Sequence, residues 1–257
     1  MTTTGTVSGT GTYGRGIAAF NSSTGTSLTI SAAAVSGNLD GIRADNSGTG
    51  ALTVTATGAV NGTTRHGILA FNARTAGTSL TIAAASVSGR ANGIFSRNYG
   101  IGALSVTASG TVTGTDGRGI YAQNLGTAGT SLTIAAAAVT GRTEGIRADN
   151  SGTGALSVTT TGDVTGTTSD GILAINSSAG TSLTISAAAV TGAAQGIYAR
   201  NSGTGTLSVT TTGAVTGTGG SGIGAIGKGL TISAAAVSGN LNGIFAKGNG
   251  GALSVTT

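Results

Sequence analysis

Glu144 and Asp170 stand 26 residues apart, each immediately before a Gly-Ile pair, and Asp40 and His66 stand 26 apart in the same setting. Two carboxylates held close together are the acid–base machinery of glycoside hydrolysis, and a histidine beside an aspartate can relay a proton. Both readings require a 26-residue separation to bring side chains together in space. The residues at that position run Arg15, Asp40, His66, Asn92, Arg118, Glu144, Asp170, Gln195, Ser221 and Asn242. Arg118 precedes Glu144 in the series and places a cation on the far side of its carboxylate. The column therefore reads as an ordinary charged, solvated turn, with Asp40 and His66 a surface pair. No metal site is expected, since there is a single His, no Cys, and no Asp in every turn as calcium-binding nonapeptide repeats require. The glycines never form a strand–GxGxxG–helix unit, so no nucleotide site and no cofactor is expected.

Behind the spacing lies a repeat. Gly-Ile recurs at Gly16, Gly41, Gly67, Gly93, Gly119, Gly145, Gly171, Gly196, Gly222 and Gly243, in steps of 25 or 26 until a last step of 21. Val-x-Gly and Leu-x-Ile/Val keep the same rhythm, and GIRADNSGTGAL appears at Gly41–Leu52 and again four units later at Gly145–Leu156. Each short segment alternates apolar letters with Thr, Ser or variable ones, the pattern of a half-buried strand, with Gly, Asn, Ser and Thr at the joints. Such strands bury a face only when coil stacks on coil. The sequence thus predicts an all-β fold: one right-handed parallel β-helix over residues 1–257, about ten coils of ~26 residues with three short strands each. The distance from Leu-x-Ile/Val to Val-x-Gly alternates between five residues (Ile30 to Val35) and six (Val54 to Val60), so the larger unit is a pair of coils.

In the GIxAxN segments the Ile, the small residue and the Asn hardly vary and should face inward. Asn21, Asn46, Asn72, Asn98, Asn124, Asn150, Asn176 and Asn201 form a predicted structural ladder of stacked amides. Gly227 and Gly248 replace the Asn in the last two coils, where a looser end is expected. Two outward columns carry the variety. One includes Arg43, Leu69, Phe95, Tyr121 and Arg147; the other includes Phe20, Asp45, Phe71, Arg97 and Gln123. Six of the eight aromatic residues lie in them. The densest group, Leu69, Phe71, Phe95, Arg97, Tyr99 and Tyr121 with Leu125 beside it, is the candidate binding face. The alternative is an aromatic stack that only stabilises neighbouring strands.

Composition removes several classes. Charged residues are only 7% of the chain, which argues against ordinary disorder. The net charge of +5 includes no basic run, so no nucleic-acid partner is expected. No apolar run is long enough for a helical membrane span in this segment. The start, MTTTGTVSGTG, lacks the basic region and apolar core of a signal peptide.

GIYARNSGTGTLSVTTTGAVTGT (Gly196–Thr218) resembles the repeats in the passenger regions of bacterial autotransporters, secreted by the type V route. The resemblance covers essentially the whole chain. It implies a pectate-lyase-like right-handed β-helix displayed at the bacterial outer-membrane surface or secreted, in a family whose rods serve as adhesins, stalks and enzyme carriers. The leading expectation is a non-enzymatic structural or adhesive segment, with a host or surface glycan or protein as partner. No enzyme is expected, because no loop is long enough to build a pocket. Uncapped ends suggest a piece of a longer solenoid, or a filament in which copies stack end to end. Ice binding is a third reading, from outward pairs such as Thr53/Thr55, but Thr81/Ala83, Ser105/Thr107 and Thr133/Ala135 interrupt the array.

Overall fold

A computed structural model describes residues 1–257 and contains strands and turns without a helix, so no helix is long and apolar enough to cross a membrane. The expected β-solenoid is present. Each coil contributes an isoleucine strand, a leucine strand and a valine strand, as in Ile42–Asn46, Leu52–Ala56 and Val60–Gly62 of the second coil. Every strand pairs in parallel with its equivalents in the coils before and after, without slippage: Ile42 faces Ile68, Leu52 faces Leu80, Val60 faces Val87. Three ladders therefore run the length of the rod.

Alternation decides which side chains enter. The isoleucine strands bury Ile, a small residue and Asn; the leucine strands bury Leu, Ile or Val, and a small residue; the valine strands bury Val and Gly. The inward aliphatics form one continuous cluster of 48 residues drawn only from Ile, Leu, Val and Ala. Each buried Ile, Leu or Val stabilises the fold by roughly 1.5–3 kcal/mol. An aromatic ring would not fit so narrow a lumen unless the three ladders moved apart, and all eight aromatics lie outside it.

The asparagines solve a different problem, because an amide inside an aliphatic lumen must be fully hydrogen-bonded. The Nδ2 of each donates to the Oδ1 of the next, from Asn21 to Asn46 at 2.7 Å through to Asn176 to Asn201 at 2.9 Å. Asn98 shows the complete pattern. Its Nδ2 donates to Asn124 (3.1 Å) and to the Gly102 carbonyl (2.9 Å), while its Oδ1 accepts from Asn72 (2.8 Å) and from the Gly100 N–H (3.2 Å). The ladder thereby also ties down the corner that leads into the leucine strand.

Where the Asn is missing, the corner is built another way. The only residues with positive φ in the chain are Gly229, Gly250 and Gly251, all at this corner of the last two coils. Gly229 turns the ninth coil so tightly that Ile223–Gly239 forms one continuous strand, which accounts for the short step of 21 residues. The end expected to be looser still pairs in register, Gly227 with Gly248. Most of the 49 glycines serve close approach rather than left-handed turns. At Gly62 a Cβ would run into the His66 carbonyl oxygen, and at Gly67 it would meet the Val87 side chain.

The five–six alternation is compensated within each coil. From Asn to Leu the even coils use six residues (Asn46 to Leu52) and the third coil eight (Asn72 to Leu80), so one corner shortens as the other lengthens. The extra residue appears in the sheet as a register shift between Thr211 and Ala214.

Replacing Asn98 by Ala should leave the Asn124 Oδ1 acceptor without a partner in the core and the Asn72 amide with only the Thr78 carbonyl to donate to. The expected cost is about 2–4 kcal/mol, measured as a lower urea midpoint with an unchanged slope; a cost below about 0.5 kcal/mol would show that the ladder is not a stability element.

Candidate interaction face

The parallel register sets the two outward columns side by side on the isoleucine ladder: Leu69, Phe95, Tyr121 and Arg147 follow one another, and so do Phe71, Arg97, Gln123 and Asp149. One coil step is about one strand spacing, ~4.8 Å, which is also a comfortable ring-stacking distance. Phe95 and Tyr121 lie parallel, with centroids 4.9 Å apart and planes 4° from each other. Phe71 meets Phe95 edge-on at 5.4 Å, and His66 lies 5.6 Å from Phe95.

Guanidinium groups close over this stack. Arg97 sits 4.9 Å from the Phe95 centroid, and Tyr121 receives both Arg118 at 4.4 Å and Arg147 at 5.5 Å. The arginines are held in turn: Arg97 Nε donates to Gln123 Oε1 (2.6 Å), Gln123 Nε2 donates to Asp149 Oδ2 (3.2 Å), and Arg147 Nε donates to the same Asp149 oxygen (3.0 Å). The result is an aromatic stack framed by a polar chain across several coils. It presents ring edges and cations to solvent, while the ring faces are largely occupied.

The structure brings the expected face residues together but differs on their exposure. Leu69 is buried, at 3% exposure, because it is flanked in its ladder by the long side chains of Arg43 and Phe95. Phe71, Phe95, Arg97, Tyr121 and Leu125 are half-covered, and Tyr99 is exposed.

The charged corner before Gly-Ile also differs from its reading as a solvated turn. Asp40, Glu144 and His66 are 0%, 5% and 8% exposed. Asp40 is held by Arg15 (3.0 Å) and Arg65 (3.7 Å), and its Oδ1 accepts the His66 backbone N–H (3.2 Å). The motif recurs, with Asn92 accepting from the Arg118 N–H (2.9 Å) and Asp170 from the Gln195 N–H (2.9 Å). This corner is a second polar ladder. The sequence signal that could have revealed it is the unbroken run of hydrogen-bonding side chains at one position of the repeat, from Arg15 to Asn242.

The titrations follow from that packing. Burial pushes Glu144 up, but the Arg118 guanidinium beside it outweighs this and holds the carboxyl below its usual range. Arg118 Nε approaches Oε2 at 2.9 Å in poor alignment, and the hydrogen bond proper runs from Nη2 to Oε1 at 3.3 Å. Asp170 is raised by burial and by the charge of Glu144, against its bond from the Gln195 N–H. His66 is lowered by burial and by Arg65, with Asp40 opposing. Its Nδ1 lies 3.2 Å from Asn92 Nδ2, which suits a neutral ring accepting there. Elsewhere the hydroxyl columns of the leucine strands are in register, Thr29 to Thr53 to Thr81 and Ser31 to Thr55 to Ala83, with Ala83 and Ala135 interrupting the second column.

With this geometry in view, no known protein family, curated protein or solved structure shows detectable similarity to the chain.

A folded-state pKa below 6.5 at His66 means that the unfolded chain binds the proton more readily, so stability falls as pH drops through that value. Between about pH 7.5 and 5.5 the urea midpoint of the wild type should therefore decrease, and H66N should remove most of that slope. Asp170, shifted the other way, is present in both proteins and cancels in the comparison. Equal slopes would exclude His66 as the group responsible.

Proposed function

We propose that the chain is a non-enzymatic structural and adhesive rod, a segment of a bacterial surface-displayed solenoid of the autotransporter-passenger kind, working outside the cell. The observation that carries the reading is segregation. Inward positions repeat from coil to coil, outward positions of the leucine and valine strands hold no charged residue, and large and charged side chains gather on the isoleucine ladder and its adjoining corner. A rod with one variable stripe is suited to present that stripe to a partner such as a host or surface glycan or protein. Six of the seven carboxylates (Asp40, Asp45, Asp116, Glu144, Asp149 and Asp170) are engaged by an arginine or a backbone N–H. This supports a structural use for them over an acid–base one.

The test is adhesion. Cells of a bacterial display strain carrying the chain should be retained on epithelial monolayers, and F95S/Y121S should lower retention about tenfold, the scale of losing an interface anchor. The circular dichroism spectrum should not change. Retention equal to wild type would remove this face from the reading.

A second reading, end-to-end assembly, draws on the last coil. Leu253 and Val255 continue columns that are buried at Leu230 and Ile232, yet they are 51% and 45% exposed. Further coils or a second copy would cover them equally well. Light scattering that rises with concentration is expected if copies stack, and a constant mass would exclude it.

A further inference from the structure

One coil of the variable stripe is bare. In the outward column Tyr198 is followed by Gly224 and then by Phe245, so two aromatic residues stand two coils apart, and only the tip of Gln195, reaching over from the corner, lies above the glycine between them. The adjoining corner of the same coil is Gly219-Gly220-Ser221, where the coil below carries Ala193-Ala194-Gln195 and the coil above carries Leu241. A cavity of about 620 Å³ results, with Tyr198 on one side and Leu241 and Phe245 on the other. That volume lies within the ~300–1,000 Å³ of small-molecule sites. A pocket made by small residues in place of large ones needs no long loop, so nothing in the loop lengths of the repeat marks it.

The lining is specific in its chemistry. No charged residue contributes to it. Its polar side-chain groups are the Tyr198 phenol, the Ser221 hydroxyl, which accepts from Asn242 Nδ2 at 3.4 Å, and the Gln195 amide, whose Oε1 reaches across Gly224; the Gln195 backbone is bonded to Asp170 and Gly171, while its side-chain amide has no partner. Phe245 and Leu241 are exposed and need no rearrangement to be reached. The intact stack elsewhere gives the contrast, since Phe95 and Tyr121 on adjacent coils touch each other at 4.9 Å and leave no room. Here the walls start from backbones two steps apart, about 9.6 Å. The open space lies over the Gly219–Gly220 corner, beside the tip of Gln195. A pyranose suits this lining, since its ring C–H groups can lie against the aromatic and leucine side chains while hydroxyls on its rim reach the amide and Ser221.

We propose that the cleft between Tyr198 and Phe245, floored by Gly219 and Gly220, binds a neutral pyranose unit of a saccharide. The proposal is independent of the Phe95–Tyr121 face, so either can fail without the other.

The test is saturation-transfer difference NMR on the full chain with the methyl glycosides of glucose, galactose, mannose and N-acetylglucosamine, and with phenol as the flat control. At least one glycoside should receive saturation on its ring C–H groups. G224F continues the aromatic column through the gap; its Cβ meets the end of the Gln195 side chain and touches Tyr198 at an ordinary contact distance, so it should fold, and it should weaken binding about tenfold or more. F245S removes one wall without touching Gly224 and should weaken binding as well, while F95S/Y121S should bind as the wild type does. The proposal is overturned if no glycoside is saturated, if phenol alone is bound, or if folded G224F and F245S both keep wild-type binding.

Discussion

Everything in this molecule depends on one constraint: each coil must lie on the next in register, at a single strand spacing. Parallel pairing without slippage places every residue on its own equivalent, so an inward position must suit a copy of itself above and below. Ile on Ile, Leu on Leu and Val on Val satisfy this by simple contact. Asn satisfies it because an amide carries both donor and acceptor, and a column of them needs no second kind of residue. Asp or Lys in the same place would stack like charges in a dry lumen.

Outside, the same register has the opposite effect. Neighbours there are 25 or 26 residues apart in sequence but touch in space, so pairs can be complementary rather than identical. Arg118 over Glu144, Arg97 over Gln123 and Gln123 over Asp149 are such pairs. Phe95 on Tyr121 is the apolar version. The stripe is thus held together along the axis by contacts that would be invisible in any one coil. Gly224 shows the reverse, since the missing side chain leaves room that the Gln195 amide of the adjacent coil reaches into.

Much of this was legible in the chain itself. The period, the strands, the inward letters and the Asn ladder followed from spacing alone, because a repeat reports the same inference ten times. Burial of the outer side chains did not follow. Leu69, Asp40, Glu144 and His66 sit on outward or corner positions, and alternation along a strand gives such residues to solvent. What covers them comes from the next coil: an arginine, a phenyl ring or an asparagine a full turn away. The role of glycine was likewise hidden, since a residue needed for close approach looks the same in sequence as one needed for a left-handed turn.

The ladder geometry also settles how such a rod carries load. In a stack of parallel strands the backbone hydrogen bonds run along the axis, and so do the amide bonds of the Asn column. Tension applied along the rod therefore pulls the bonds of a terminal coil open a few at a time, rather than shearing a whole sheet at once. Each coil that peels away frees about 26 residues, or roughly 85–95 Å of extended chain. The molecule would lengthen in small, equal increments while the coils behind the break keep their packing, which is the behaviour of a tether that yields without parting.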